Sequence, residues 1–391
     1  MISVKEAKKI LSTNIPQSPT HKVSLENSVG FILAADIHSP IEVPLFDNSA
    51  MDGYALSITD PKGFWEVTHT IQAGETNLPV IAENKAARIF TGAPIPKGTD
   101  TVIQQEVINR EGERITFDLE GFTKGQNIRL KGSQNKVGDL LVQSGSLITP
   151  GTIGLLASVG IAEVEIYKAP SVAIIITGNE IKDVGTALKF GEIYNSNGPV
   201  LNAYLSTLGI KEIKTYKAAD DPEALKSTIE EALAGYDVVL FSGGISVGDY
   251  DFVKKGLEKA GVKELFYKIR QRPGKPLFAG MKDEKLIFAL PGNPASVMTC
   301  FNQYVKPSLL QLLGHTYPWQ PTARLTLSHN FSKKGGLTFF MKALMKDNEV
   351  STLTGQESFN QLSFGVSNCF AEFPEDTEEV AAGTVVDVYA W

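Results

Sequence analysis

Apolar residues recur at helical spacing at the very start of the chain and again in its middle third, and in between they come in short runs. Val4, Ala7, Ile10 and Leu11 mark one face, and Ser3 and Glu6 ahead of it have the spacing of a capping box, so a short helix is predicted to open the chain. From about Asp36 to Leu147 short β-type runs such as ARIF and DTVIQQEV alternate with Gly/Pro turns such as GAPIPKG, which predicts a β-rich segment. From Ser171 the pattern changes again. VAIIIT (Val172 to Thr177) and DVVLF (Asp237 to Phe241) are continuous apolar runs, as expected of strands buried on both faces. Between them lie two helical patterns. The first carries Leu201, Tyr204, Leu205 and Leu208 and stops at Gly209. The second is capped by Asp221, has Pro222 at its first position, presents Leu225, Ile229, Ala232 and Leu233, and ends at Gly235. A further helix runs past Val253 and Leu257 to Gly261, and a long one starts near Pro294. Such alternation predicts an open, mostly parallel α/β sheet. After about His315 short strands return (ARLTL, LTFFMKAL, EVSTL, TVVDVYAW), predicting a small β-barrel or sandwich.

A length of 391 residues calls for several cores. The net charge of -7 offers no global attraction to nucleic acid or to an anionic membrane, so an anionic ligand would need a local basic cluster. Two cysteines, Cys300 and Cys369, exclude a disulfide scaffold and a Cys-rich metal site and suit a reducing compartment. The N-terminal MISVKEAKKI lacks the apolar core of a signal peptide, and no run reaches the roughly 18 apolar residues of a spanning helix, so cytoplasm is the expectation.

Ligands of open α/β sheets bind beyond the carboxyl ends of the strands, and three glycine-marked loops fall there. They are Thr177-Gly178-Asn179-Glu180, the run from Ser242 to Asp251 (SGGISVGDYD), and Leu290 to Ser296 (LPGNPAS). Glycines admit a ligand to backbone N–H groups and helix N-termini add positive dipole ends, although each loop alone also reads as an ordinary strand–helix turn. Neither a Walker A sequence nor GxGxxG is present. Glu180, Asp220, Asp249 and Asp251 beside these loops make sense with a bridging hard cation such as Mg²⁺, with helix capping the competing role for Asp220 and Asp249. The basic cluster is YKIRQRPGKP, where strand alternation would place Lys268, Arg270 and Arg272 on one face with Lys275 close behind; a charged, solvated strand edge is the alternative. PLFDNSAMDGYA and TGAPIPKGTD have turn composition. The residues alone therefore point to an α/β enzyme that binds a phosphorylated or oxyanion ligand with a divalent metal.

PLFDNSAMDGYA, TGAPIPKGTDTVIQQE, TGNE, SGGISVGDYD, RPGKP and LPGNPAS stand in the order and spacing of the molybdopterin molybdenumtransferase (MoeA) family, which includes the E domain of gephyrin, and the chain resembles that family from about residue 3 onward. The resemblance implies a multidomain α/β protein: an extended N-terminal domain in two segments (1–43 and 136–168), an inserted β-rich domain (44–135), a MoaB/MogA-like molybdopterin-binding α/β domain (169–314) and a C-terminal β-barrel (315–391). It also implies a homodimer with its active site between subunits. The implied reaction inserts molybdate into adenylylated molybdopterin with Mg²⁺-dependent release of AMP, and transient contact with the adenylyltransferase or recipient molybdoenzymes is expected. By motif, Asp52, Thr91, Glu180, Asp220 and Asp251 would be catalytic, with Glu180 and Asp251 as metal ligands. Gly178, Ser242, Gly243, Gly244, Ser246, Gly248, Lys268, Arg272, Lys275, Pro291, Gly292, Asn293, Pro294 and Ser358 would bind substrate. Two positions depart from the pattern: Gln134 replaces a carboxylate and Met341, beside Lys342, replaces an arginine. These departures give weight to one competing reading, a paralogue that binds without efficient turnover; a third reading, a gephyrin-like scaffold, is opposed by the largely intact loop chemistry.

Overall fold

The computed structural model describes residues 1–59, 62–219, 221–245 and 252–391. The first helix, Val4–Asn14, is closed by the predicted box: the Glu6 N–H donates to Ser3 Oγ, and the Ser3 N–H donates to the Glu6 carboxylate at 2.7 Å. Its Val4, Ala7 and Leu11 face enters the core of the α/β sheet. The chain then pairs with a segment more than a hundred residues on. Thr20–Ser24 runs antiparallel to Glu163–Tyr167, and Ile37–His38 to Leu140–Val142, over a small core of Leu25, Leu33, Ile148, Leu156, Val164 and Ile166.

Between these segments six short strands form one sheet in the order Thr101–Gln104, Gly53–Leu56, Lys85–Ile89, Trp65–Ile71, Arg114–Thr116, Asn109–Glu111. The DTVIQQEV run is strand only as far as Gln104; Gln105–Val107 turns as a 3₁₀ helix.

The central sheet has the order Ile213–Ala218, Val172–Thr177, Val238–Ser242, Lys285–Leu290, Phe278–Lys282, Lys263–Tyr267. The first four strands are parallel and the last two antiparallel. Every residue of Val172–Thr177 is buried because separate apolar clusters cover the two faces. Asp221 caps the helix Pro222–Gly235, accepting from the N–H groups of Glu223 and Ala224 at 3.1 and 2.9 Å. Asp221→Ala is expected to destabilise this body by about 1 kcal/mol, measured by chemical unfolding. The long helix from Pro294 to Leu312 widens to a π turn at Phe301–Val305. Pro307 accounts for this: it has no N–H for the Gln303 carbonyl, and its ring crowds that group.

In the C-terminal region Thr338–Lys346, Glu349–Thr352, Ala323–Leu327, Val385–Ala390 and Cys369–Phe373 close on themselves as a five-stranded barrel. No helix among the described residues is long and apolar enough to cross a membrane.

One predicted face does not form. The strand carrying Tyr267 ends there, and Lys268 takes a left-handed conformation with φ 66°. Gln271–Arg272 then pairs with Thr338–Phe339 of the barrel. The run from Lys268 to Arg272 thus crosses between two sheets, so strand alternation does not govern it.

Candidate functional site

Parallel strands in one sheet end at one edge, and here that edge gathers the glycine loops. A cavity of about 770 Å³ is lined by Gly178 and Glu180 from the first loop, Ser242, Gly243 and Gly244 from the second, and Gly292, Asn293 and Pro294 from the third. Gly243 and Gly244 have φ of 91° and 64°, the left-handed region that glycine alone enters readily. A Cβ on Gly243 would stand 2.9 Å from the Thr177 carbonyl oxygen, and one on Gly244 would stand 2.6 Å from Val253, so the loop depends on both glycines to lie against its neighbours.

Asn197, which the sequence reading did not single out, ties two of these loops together. Its Nδ2 donates to Ser242 Oγ at 2.9 Å and to the Gly292 carbonyl at 2.7 Å. It begins the helix Asn197–Thr207, and Pro294 begins the long helix, so two helix N-termini line the same cavity. Their dipoles favour an anion there, although the first turns keep few free donors: Pro199 and Pro294 have no N–H, and those of Gly198 and Ala295 are given to Asn195 and Ser358. The only signal for Asn197 in the sequence is the polar run before a helical pattern. Glu180 is the one acidic residue lining the cavity among those described, and no Lys or Arg lines it.

The C-terminal barrel reaches over to this edge. The Ala295 N–H donates to the Ser358 carbonyl at 3.1 Å, Asn293 Nδ2 donates to Ser358 Oγ at 3.0 Å, and Phe359 and Gln361 complete the wall. Ser358 is thereby joined to the third loop. Pro291 is buried at the strand end behind it.

Asp52 and Thr91 form a separate pair. Gly53 and Ile89 face each other across two antiparallel strands, which brings the residues just beyond them to one end of the sheet. Asp52 Oδ1 accepts from the Thr91 N–H at 2.8 Å and from its Oγ1 at 3.0 Å. The Thr91 backbone bond first, then its hydroxyl, with Arg88 adding a little, hold this exposed carboxyl below the usual aspartate range. Neither residue lines the cavity of its own chain.

Nor do the basic residues. Arg270 is taken up structurally, with Nε 2.7 Å from Glu375 and a longer contact of 4.0 Å to Glu6. Lys268 lies 4.7 Å from the Tyr267 ring and Arg272 5.4 Å from that of Phe339. Lys275 is exposed in the same loop. The loop is nonetheless docked on the long helix: a Cβ on Gly274 would meet Cys300 Sγ at 2.5 Å, and buried Gln271 donates to the carbonyls of Pro273 and Gly274 and accepts from Tyr304. Asp220, Ser246, Gly248, Asp249 and Asp251 lie outside the described residues. Among the described residues no cluster of three or more His, Cys, Asp or Glu could hold a metal.

Comparison with known proteins agrees with this geometry segment by segment. Residues 2–160 match the MoeA N-terminal region (domain I and II), 173–311 a probable molybdopterin binding domain, and 324–391 the MoeA C-terminal region (domain IV). A molybdopterin molybdenumtransferase of Staphylococcus aureus is 34% identical over 401 residues, covering 99% of this chain and 95% of that protein. The chain belongs to the molybdopterin molybdenumtransferase (MoeA) family. A Staphylococcus epidermidis member is 33% identical over the same shares of the two chains. The crystal structure of a molybdopterin biosynthesis MoeA protein from Pyrococcus horikosii superposes with a TM-score of 0.84 at 32% identity, covering 100% of this chain and 99% of that one.

Proposed function

We propose that the chain inserts molybdate into adenylylated molybdopterin and releases AMP in a magnesium-dependent step. Its family makes it a transferase of molybdenum cofactor biosynthesis, and the substrate form and the metal belong to this proposal. The observation that carries the reading is the cavity at the carboxyl edge, where three glycine loops meet and the dipoles of two helix N-termini favour an anion.

The donor set suits magnesium, a hard cation commonly held by one or two carboxylates together with substrate phosphates. Glu180 would hold it, with Asp251 as the second ligand expected from the motif. Magnesium, when bound, would neutralise charge on the pyrophosphate linkage. The chain's own groups do the rest. The loops at Gly178, Gly243, Gly244 and Gly292 admit the phosphates to the backbone, and Asn293 and Ser358 fix the far wall. Lys268, Arg272 and Lys275 would meet phosphate and molybdate oxygens from the docked loop.

Asp52 and Thr91 do not line their own chain's cavity, which supports a homodimer in which the pair serves the cavity of the other subunit. A cytoplasmic location fits the same reading. The test is AMP release from adenylylated molybdopterin by the purified protein. Release that requires both molybdate and Mg²⁺ is the expected result. Substrate binding without release would instead make the chain a binding paralogue.

A further inference from the structure

A second cavity, of about 450 Å³, lies where the N-terminal helix, the π turn, the linker after the long helix and the last strand meet. It shares no lining residue with the cavity at the sheet edge. Lys8, Lys306 and His315 line it, and among the described residues no Asp or Glu does. The three are not equivalent. Lys8 is partnered, with Nζ 3.7 Å from Glu372 and donating to the Tyr389 hydroxyl at 3.0 Å, although burial outweighs the nearby carboxylates and pulls its ammonium down. Burial pulls His315 down, toward its neutral form. Lys306 is half-buried, donates to the Ala390 carbonyl at 3.0 Å, and forms no ion pair among the described residues. Burial alone pulls its ammonium down, with no carboxylate to offset it. A desolvated cation without a counter-charge costs stability unless something supplies the charge.

The other walls are specific in kind. Trp319 is held by its Nε1 donating to Gln311 at 2.6 Å, and Tyr317, Pro318 and Tyr389 add apolar faces. Asn302 donates to the Ala390 carbonyl at 3.2 Å. Its neighbour Gln303, also at the wall, is fully buried, and its Oε1 has no hydrogen-bond partner. The π turn brings both amides to this side, and such turns are frequent at functional sites.

From these features we propose that the junction cavity is a binding site for a small aromatic carboxylate that also carries a ring N–H or O–H. The carboxylate pairs with Lys306, the ring lies against Trp319 and Tyr389, and the donor draws the buried, unpartnered Gln303 oxygen out to the cavity wall by a turn of that side chain. Such a ligand touches the long helix, the linker and the last strand at once, so its occupancy fastens the end of the barrel to the α/β body.

Indole-3-acetate is the probe, titrated by calorimetry into the full-length protein. Saturable binding is expected, about tenfold weaker for uncharged indole-3-acetamide and measurably weaker for 1-naphthylacetate, which keeps the charge and lacks the N–H. Lys306→Met, which retains the alkyl stem, is expected to weaken indole-3-acetate to a similar degree. The amide comparison uses the wild-type protein and so stands even if that variant folds poorly. The proposal is overturned by the absence of saturable binding, by equal affinity for acetate and acetamide, or by a folded Lys306→Met protein that binds as the wild type does.

Discussion

Asp52→Asn is expected to lower the rate of AMP release by about 100- to 1,000-fold while the fold and thermal transition stay unchanged. The side chain is exposed and packs against nothing that the amide would disturb, so the loss would report charge and hydrogen bonding. The charge is the carboxylate's own, and Thr91 supplies the hydrogen bonds, aiming an N–H and a hydroxyl at the same oxygen. The sign of the pH effect follows. A carboxyl held below its usual range stays ionised as the pH falls, so activity should persist on the acid side until the pH passes through that lowered value. Thr91→Val removes the hydroxyl and keeps the backbone bond, so the acid limb of the rate profile should move up toward the ordinary aspartate value. An Asp52→Asn enzyme with the wild-type rate would remove Asp52 from the reaction.

The pairing behind this prediction shows what a sequence conceals. Asp52 and Thr91 sit in two stretches of plain turn composition, and only the register of Gly53 against Ile89 makes them neighbours. The family motifs named both residues, but periodicity could not. By contrast, VAIIIT and DVVLF were legible at once, because a strand covered on both faces is apolar at every position. Asp221 was legible too, since an N-cap is a local device written in adjacent residues.

The basic stretch failed for the opposite reason. Alternation assumes one continuous strand, and the left-handed Lys268 ends it, after which the chain joins a different sheet. Arg270, equal to its neighbours in the sequence, is consumed by Glu375, a residue far along the chain. The glycine loops gather round a cavity at the strand ends, where strand–helix alternation puts them, yet Asn197, Phe359 and Gln361 carry no local signal because their contacts depend on distant loops. The barrel was expected as a class. Its order was not, because closure includes a parallel pair, Ala323–Leu327 beside Glu349–Thr352, that no hairpin signal announces.

Lys342→Met is expected to destabilise the C-terminal barrel by about 2–3 kcal/mol and to raise KM for the pterin substrate about tenfold, with a smaller effect on kcat. Lys342 is only 2% exposed, although a lysine on a barrel strand would ordinarily face water. Its ammonium donates to the carbonyls of Gly355 and Asn360 at 2.5 and 2.9 Å, with that of Glu357 at 3.5 Å, and lies 4.9 Å from the Phe364 ring. Three donors thus gather the 355–360 loop around one charge. Gln356 secures the same strand position, accepting from the Lys342 N–H at 3.0 Å and donating to its carbonyl at 2.8 Å. The loop so folded is the one that presents Ser358 to Asn293 and Ala295 and places Phe359 at the cavity. Methionine keeps the length and removes the donors, leaving three carbonyls without their ammonium partner, of which that of Gly355 keeps the Ser363 hydroxyl. Lys346→Met, at the exposed end of the same strand, is the control and should change neither quantity. If Lys342→Met were as stable as that control and left KM alone, the loop would be held by Gln356 and the Ser358 contacts without the buried charge.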